Sequence, residues 1–116
     1  MTEYQIQKAL CEYLKLAARR DVFWCAIPNG EARSTITGAR LKATGTRAGA
    51  PDMLFIVDGA IIGLELKAAK GRLSAAQKEA SALWAKAGGD YVVAWGIDDA
   101  LSLLVARGVF KALTKD

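Results

Sequence analysis

A stretch of nineteen residues limits the possible folds of this chain more than any other: Gly49 to Lys67, reading GAPDMLFIVDGAIIGLELK. Two apolar runs flank Asp58-Gly59, a dipeptide suited to a two-residue type I′ turn, in which both central positions take positive φ. A hairpin closed on that turn pairs Val57 with Ala60, Leu54 with Gly63 and Asp52 with Glu65. Opposed residues share one face of a sheet, with Cβ atoms about 4.5–5.5 Å apart. Lys67, two positions beyond Glu65, points to the same face. Three charged side chains therefore meet at the open end of an otherwise apolar hairpin.

Two opposed carboxylates repel each other, so their placement needs a physical reason. One reading is a partly exposed strand end, where Asp52 caps a turn and Glu65 pairs with Lys67. The other is a divalent cation held between the acids, since hard cations take carboxylate oxygens. A lysine beside such an ion can orient or deprotonate a water and stabilise charge forming on a phosphoryl group. The sequence contains no histidine, which excludes imidazole metal sites and histidine-based triads. Hydrolysis here would have to use carboxylates, lysine and metal. Cys11 and Cys25 have no metal-ligand spacing and read as reduced, half-buried residues of a cytosolic protein.

Pro51-Asp52 followed by Glu65-Leu66-Lys67 resembles the PD-(D/E)xK nuclease superfamily. Joined to Glu3 near the start, Gly49-Ala50 before the proline and Ser74-Ala75-Ala76-Gln77 after the lysine, the pattern is similar to the virus-type replication–repair nuclease (VRR-NUC) family. The resemblance spans nearly the whole chain. It implies a restriction-endonuclease-like α/β core and metal-dependent cleavage of DNA phosphodiesters, often at branched structures. On that reading Asp52 and Glu65, with the Leu66 backbone carbonyl, hold one or two Mg²⁺ or Mn²⁺ ions. Lys67 then activates or positions the attacking water, and Gln77 and Glu3 support it. Small stand-alone relatives tend to be homodimers acting on four-way junctions, so the specific expectation is a homodimeric Holliday-junction-resolving nuclease. Symmetric cutting of two strands needs two sites related by a two-fold axis, which a chain with one site obtains by pairing. Flap, fork or non-specific cleavage is the alternative. A bacterial, phage or prophage setting follows from the resemblance alone. From another class, a non-catalytic nucleic-acid-binding module would need basic loops but not Asp52, Glu65 and Lys67 together. A hydrolase of another phosphate ester is a third reading, against which the spread of basic groups over two loops argues.

The net charge of +4 is unevenly placed. Residues 29–50 and 66–78 hold eight basic groups (Arg33, Arg40, Lys42, Arg47, Lys67, Lys70, Arg72, Lys78) against the single acid Glu31. Positive charge is thus concentrated on the segments entering and leaving the hairpin, as a polyanion site requires. Asn29, Arg33, Arg40, Lys42, Arg47, Lys70, Arg72 and Lys78 are the candidate DNA contacts, with solvated basic loops as the bland alternative. At 116 residues the chain is read as one domain, 1–116. No run approaches the ~20 apolar residues of a membrane span, no signal peptide opens the chain, and no nucleotide cofactor is expected.

Thr2-Glu3-Tyr4-Gln5 fits a capping box opening a helix whose inward stripe is Ile6, Ala9, Leu10, Tyr13, Leu14 and Ala17. Glu3 on that stripe is either a first-turn acid favoured by the helix dipole or a further acid of the site. Val22 to Ile27 reads as a strand buried on both faces. After Pro28, the stretch from Glu31 to Ala48 reads as a DNA-facing loop with room for a short helix around Ala39–Ala43. The hairpin is apolar on both faces and calls for helices on both sides. Ser74 to Gln77 is a second capping box, beginning a helix with Ala80, Leu83, Trp84 and Ala87 inward. Gln77 either closes that cap or, as the resemblance favours, hydrogen-bonds near Lys67 or to the scissile phosphate. Tyr91 to Trp95 is a fourth strand, and Asp98 is expected to cap a last helix carrying Leu101, Leu104 and Val105. Trp84 and Trp95 read as core aromatics. The expected architecture is α/β, helix–three strands–helix–strand–helix, with a mixed sheet flanked by helices.

Overall fold

The computed structural model describes residues 1–28 and 35–112. The order of elements is α1 (Glu3–Ala17), β1 (Phe23–Ala26), α2 (Thr35–Ala43), β2 (Met53–Val57), β3 (Ala60–Lys67), α3 (Ala75–Lys86), β4 (Asp90–Trp95) and α4 (Ile97–Ala106). This is the expected succession with one further helix, α2, starting earlier than the possible short helix at Ala39. The four strands form one sheet in chain order, antiparallel from β1 to β3 and parallel between β3 and β4. The sheet is therefore mixed, and α3 is the crossover that a parallel pair requires.

The hairpin forms in the register that Asp58-Gly59 dictates: Leu54 pairs with Gly63 and Val57 with Ala60. Both turn residues have positive φ, 49° at Asp58 and 84° at Gly59. Arg19, just past α1, donates from Nη1 and Nη2 to the two Asp58 carboxylate oxygens and from Nε and Nη2 to Asp21. Its Nη1 also donates to the Gly108 carbonyl at 3.1 Å, tying the turn to the end of α4.

One face of the sheet is the core. Met53, Phe55 and Val57 of β2, Ile62, Leu64 and Leu66 of β3, and Val92 and Ala94 of β4 pack against Ile6, Leu10 and Leu14 of α1 and Ala100 and Leu104 of α4. Alternation along each strand puts these side chains on one side. The other face carries Leu54, Gly63, Glu65, Lys67 and Tyr91 and is covered in part by α3, whose Trp84 lies against Gly63. Helices do cover both faces, as expected, but the second cover stops short of the turn. Ile56 and Ile61 remain 39% and 45% exposed there.

Five local expectations differ from the structure. Leu83 and Ala87, expected inward, are exposed, and Ala80 alone of α3 is buried. β1 is an edge strand with Phe23 59% exposed, not a strand buried on both faces, because it pairs with β2 alone. Tyr13 leaves the α1 stripe and is half exposed, the buried residues of that helix being Ile6, Leu10 and Leu14. Asp98 does not cap α4. Gly96 occupies that position without a side-chain cap, and Asp99 turns back to accept from the Trp95 backbone N–H at 2.9 Å. Trp95, read as a core aromatic, is 45% exposed at the end of β4. Among the described residues, no helix is long and apolar enough to cross a membrane.

Candidate active site

The site is built on the second sheet face, at the open end of the hairpin. Pro51 is buried and Asp52 follows it, immediately before β2, with its carboxylate turned across the hairpin. Asp52 Oδ2 accepts the Leu66 backbone N–H at 2.7 Å. Glu65, directly across the register, is only 2% exposed although its side chain is an acid. Gly49 makes this approach possible. Its φ is +83°, and a Cβ there would overlap the Ala76 carbonyl of α3, so the chain before Asp52 lies tight against the first turn of that helix.

Gln77 joins the parts. Its backbone N–H donates to Ser74 Oγ at 3.1 Å, and its Oε1 accepts the Ser74 N–H at 2.9 Å, which completes the capping box. The same Oε1 accepts from Lys67 Nζ at 2.8 Å, while Nε2 donates to Glu65 Oε2 at 2.9 Å. The cap and a hydrogen bond to Lys67, two alternatives in the sequence, are thus both made by this one side chain. Lys67 Nζ stands 3.7 Å from Glu65 Oε2, and its side chain is 9% exposed.

Glu65 Oε2 has partners, but Oε1 is buried and has none. Burial and then the Asp52 charge push Glu65 up to about 8, with Lys67 pulling the other way. Asp52 is also raised, mainly by burial, against the Leu66 N–H that favours its charged form. Two buried carboxylates facing each other in this way hold a proton between them or require a cation. An orphaned, buried carboxylate oxygen beside a second carboxylate is the donor set that a hard divalent ion takes up. These residues fit such an ion.

Glu3 lies exposed in the first turn of α1. Its charge is felt by both Asp52 and Glu65. It does not close a three-acid cage: among the described residues, no group of three His, Cys, Asp or Glu side chains is placed to hold a metal. Tyr91 is the neighbour that sequence reasoning missed. It pairs with Gly63 in β4, on the site's face, and its hydroxyl donates to the Gly49 carbonyl at 3.3 Å. Burial first, and then the charges of Glu65 and Asp52, push its ionisation upward. Its ring meets Trp84 edge to face at 6.3 Å. Only the parallel pairing of β3 with β4 brings Tyr91 there, and no local pattern announces that pairing.

The expected DNA contacts are placed unevenly. Lys70 and Arg72 are exposed on the loop between β3 and α3, and Lys78 is exposed on α3 beside Gln77. Arg47 borders a groove with Ala76 and Glu79 of α3. Arg40 and Lys42 lie on α2, which buries no residue. Asn29 and Arg33 lie outside the described residues.

Over 99% of its length the chain matches a solved structure described as "VRR_NUC domain protein", at a TM-score of 0.76 and 25% sequence identity, covering 97% of that chain. No family model matches the sequence, and no curated protein does. The relationship is thus carried by the fold.

Proposed function

Because this chain belongs to the VRR-NUC family of nuclease domains, we propose that it is a metal-dependent DNA endonuclease acting on branched substrates. The observation that carries this reading is the orphaned Glu65 Oε1, buried opposite Asp52 with Lys67 and Gln77 already in place. Asp52 and Glu65, with the Leu66 backbone carbonyl, would hold Mg²⁺ or Mn²⁺. A bound ion of this kind supplies Lewis acidity toward a phosphoryl oxygen and lowers the pKa of a water.

The chain's own groups supply the rest. Lys67 Nζ has three hydrogens and gives one to Gln77 Oε1, leaving donors for a phosphate oxygen or the attacking water. Gln77 holds Lys67 and Glu65 at a fixed separation through its two amide ends, and its place in the helix cap fixes its own rotamer. The Leu66 N–H turns one Asp52 oxygen inward and sets the direction of the other. Glu3, at the rim, adds negative charge that favours a cation. Lys70, Arg72, Lys78 and Arg47 would contact backbone phosphates, with Arg40 and Lys42; Asn29 and Arg33 are given that role from the sequence alone. A homodimer resolving Holliday junctions is the finer form of the proposal, since paired cuts need paired sites.

The test is nicking of a labelled four-way junction, a flap and a continuous duplex in Mg²⁺, Mn²⁺ or chelator. Lys67→Ala, checked for folding and DNA binding, runs alongside. Metal-dependent paired cuts in the junction, reduced at least about 100-fold in the variant, are expected. Tight binding without cleavage under either metal would overturn the enzyme. Equal cutting of all three substrates would keep the nuclease and remove the resolvase.

A further inference from the structure

Trp95 ends β4 and pairs with Lys67 in the parallel register, so the two side chains leave the same face on neighbouring strands. Adjacent strands lie about 4.8 Å apart. The indole is 45% exposed, yet it is held: its Nε1 donates to the Gly71 carbonyl at 2.8 Å, and its backbone N–H donates to Asp99. The carbonyl that holds it belongs to the loop carrying Lys70 and Arg72, one on each side of Gly71. Trp84 differs, being packed against Gly63, Gly89 and Tyr91. A half-exposed large aromatic fixed by its polar edge is preorganised to stack.

What it would stack is set by its surroundings. Trp95 borders a cavity of about 270 Å³ formed where the start of α1, the exit of β3 and the start of α4 meet, with Met1, Ile6, Ala69, Ile97 and Asp98 in its wall. The wall is mostly apolar, and its one acid disfavours a phosphate. It suits a flat, neutral ring whose exocyclic amine can donate to Asp98. The phosphates attached to that ring would lie on the other side, toward Lys70 and Arg72.

We propose that Trp95 is a stacking platform for one unpaired nucleobase next to the phosphate held at Lys67. This deepens the nuclease reading and rests on it. It names the contact as one unpaired nucleotide at the branch, which a flap or fork supplies outright and a four-way junction supplies when a pair at its centre opens. A continuous duplex has its bases already stacked and paired, and it would have to extrude one to use the platform.

The experiment uses the full chain in Ca²⁺, under conditions where absence of cleavage has been verified. The probes are a forked DNA with 2-aminopurine at the first unpaired position and a continuous duplex of the same sequence. Wild type is expected to quench the fork's 2-aminopurine and to bind the fork more tightly than the duplex. Trp95→Ala should lose the quench and weaken fork binding roughly five- to hundredfold, the range of one base–aromatic stack. Duplex binding should change less than about twofold. Trp95→Phe keeps a ring and should retain most of the effect, which separates stacking from the Gly71 hydrogen bond. Equal loss on fork and duplex, or an unchanged preference in Trp95→Ala, would overturn the platform. Trp95-dependent fork binding without cleavage in any metal would remove the nuclease and keep the platform. Cleavage with no dependence on Trp95 would do the reverse.

Discussion

The two ends of one hairpin treat their carboxylates in opposite ways. At the turn, Asp58 shares the Arg19 guanidinium with Asp21, and both acids are held below the usual carboxylate range by hydrogen bonds from that arginine. At the open end, Asp52 and Glu65 face each other under cover and are both raised. The turn is complete as the chain makes it. The open end is not, because Glu65 Oε1 lacks a donor and Lys67 is shared with Gln77. The acids at the exposed turn all have donors, whereas one buried carboxylate oxygen at the open end has none, which supports the proposed cation site there.

The sharpest way to break the contrast is Glu65→Gln. The amide can still accept from Gln77 and can donate toward Asp52, so the repulsion is removed with little change of shape. Cleavage is expected to fall at least about 100-fold, on the scale of losing a charged group at the reacting centre. In chelator at pH 8 the melting temperature should rise instead of fall. A variant that loses activity and stability together would show that Glu65 is a structural acid, and the comparison would lose its meaning.

A second test uses protons and metal. Glu65 goes from an ordinary 4.5 to about 8 in the folded chain, so the native state binds its proton more tightly than the unfolded state. Stability from this group is present below about 4.5 and is lost as pH rises toward 8. The metal-free protein should therefore melt at lower temperature at pH 9 than at pH 6. Mn²⁺ or Mg²⁺ should raise melting most at the alkaline end, by mass action on the folded state. A metal-free melting temperature that is flat across this window, or a metal effect that is absent at pH 8, would count against the cation site. Denaturation scans across pH with and without chelator read both.

Much of this contrast was legible beforehand, for a definite reason. Asp58-Gly59 sets the hairpin register, and register alone places Asp52 opposite Glu65. Ser74 and Gln77 announce their cap by spacing. What local pattern could not supply was anything decided by which elements become neighbours. An apolar run such as Val22–Ile27 looks the same in a central strand and at an edge, and here only one neighbour exists. The approach of Tyr91 and Trp95 to the site depends on the parallel crossover through α3. Gln77 closing its cap and bridging Lys67 to Glu65 at once needed α3 to land on that face. Glu3 was placed at the right end of α1, but the distance across to the acid pair is a tertiary quantity.

The smallest expected effect sharpens the other side of the comparison. Asp58 and Asp21 are exposed, and pairs in water contribute little because solvent and salt screen them. Asp58→Asn keeps the residue type that tolerates positive φ, so the turn should survive while the Arg19 contact weakens. Its melting temperature should drop by only a few degrees at low salt, and less at high salt, with cleavage and metal binding unchanged. The sign of its pH response is opposite to that of Glu65. Stability from a lowered acid is present above its ordinary value of about 3.8 and is lost as pH falls through the folded value. Acid should therefore erase the difference between Asp58→Asn and wild type, whereas acid in chelator stabilises the open end. If Asp58→Asn instead changed metal affinity, the two ends would be coupled through the strands, and the hairpin would be a single electrostatic unit.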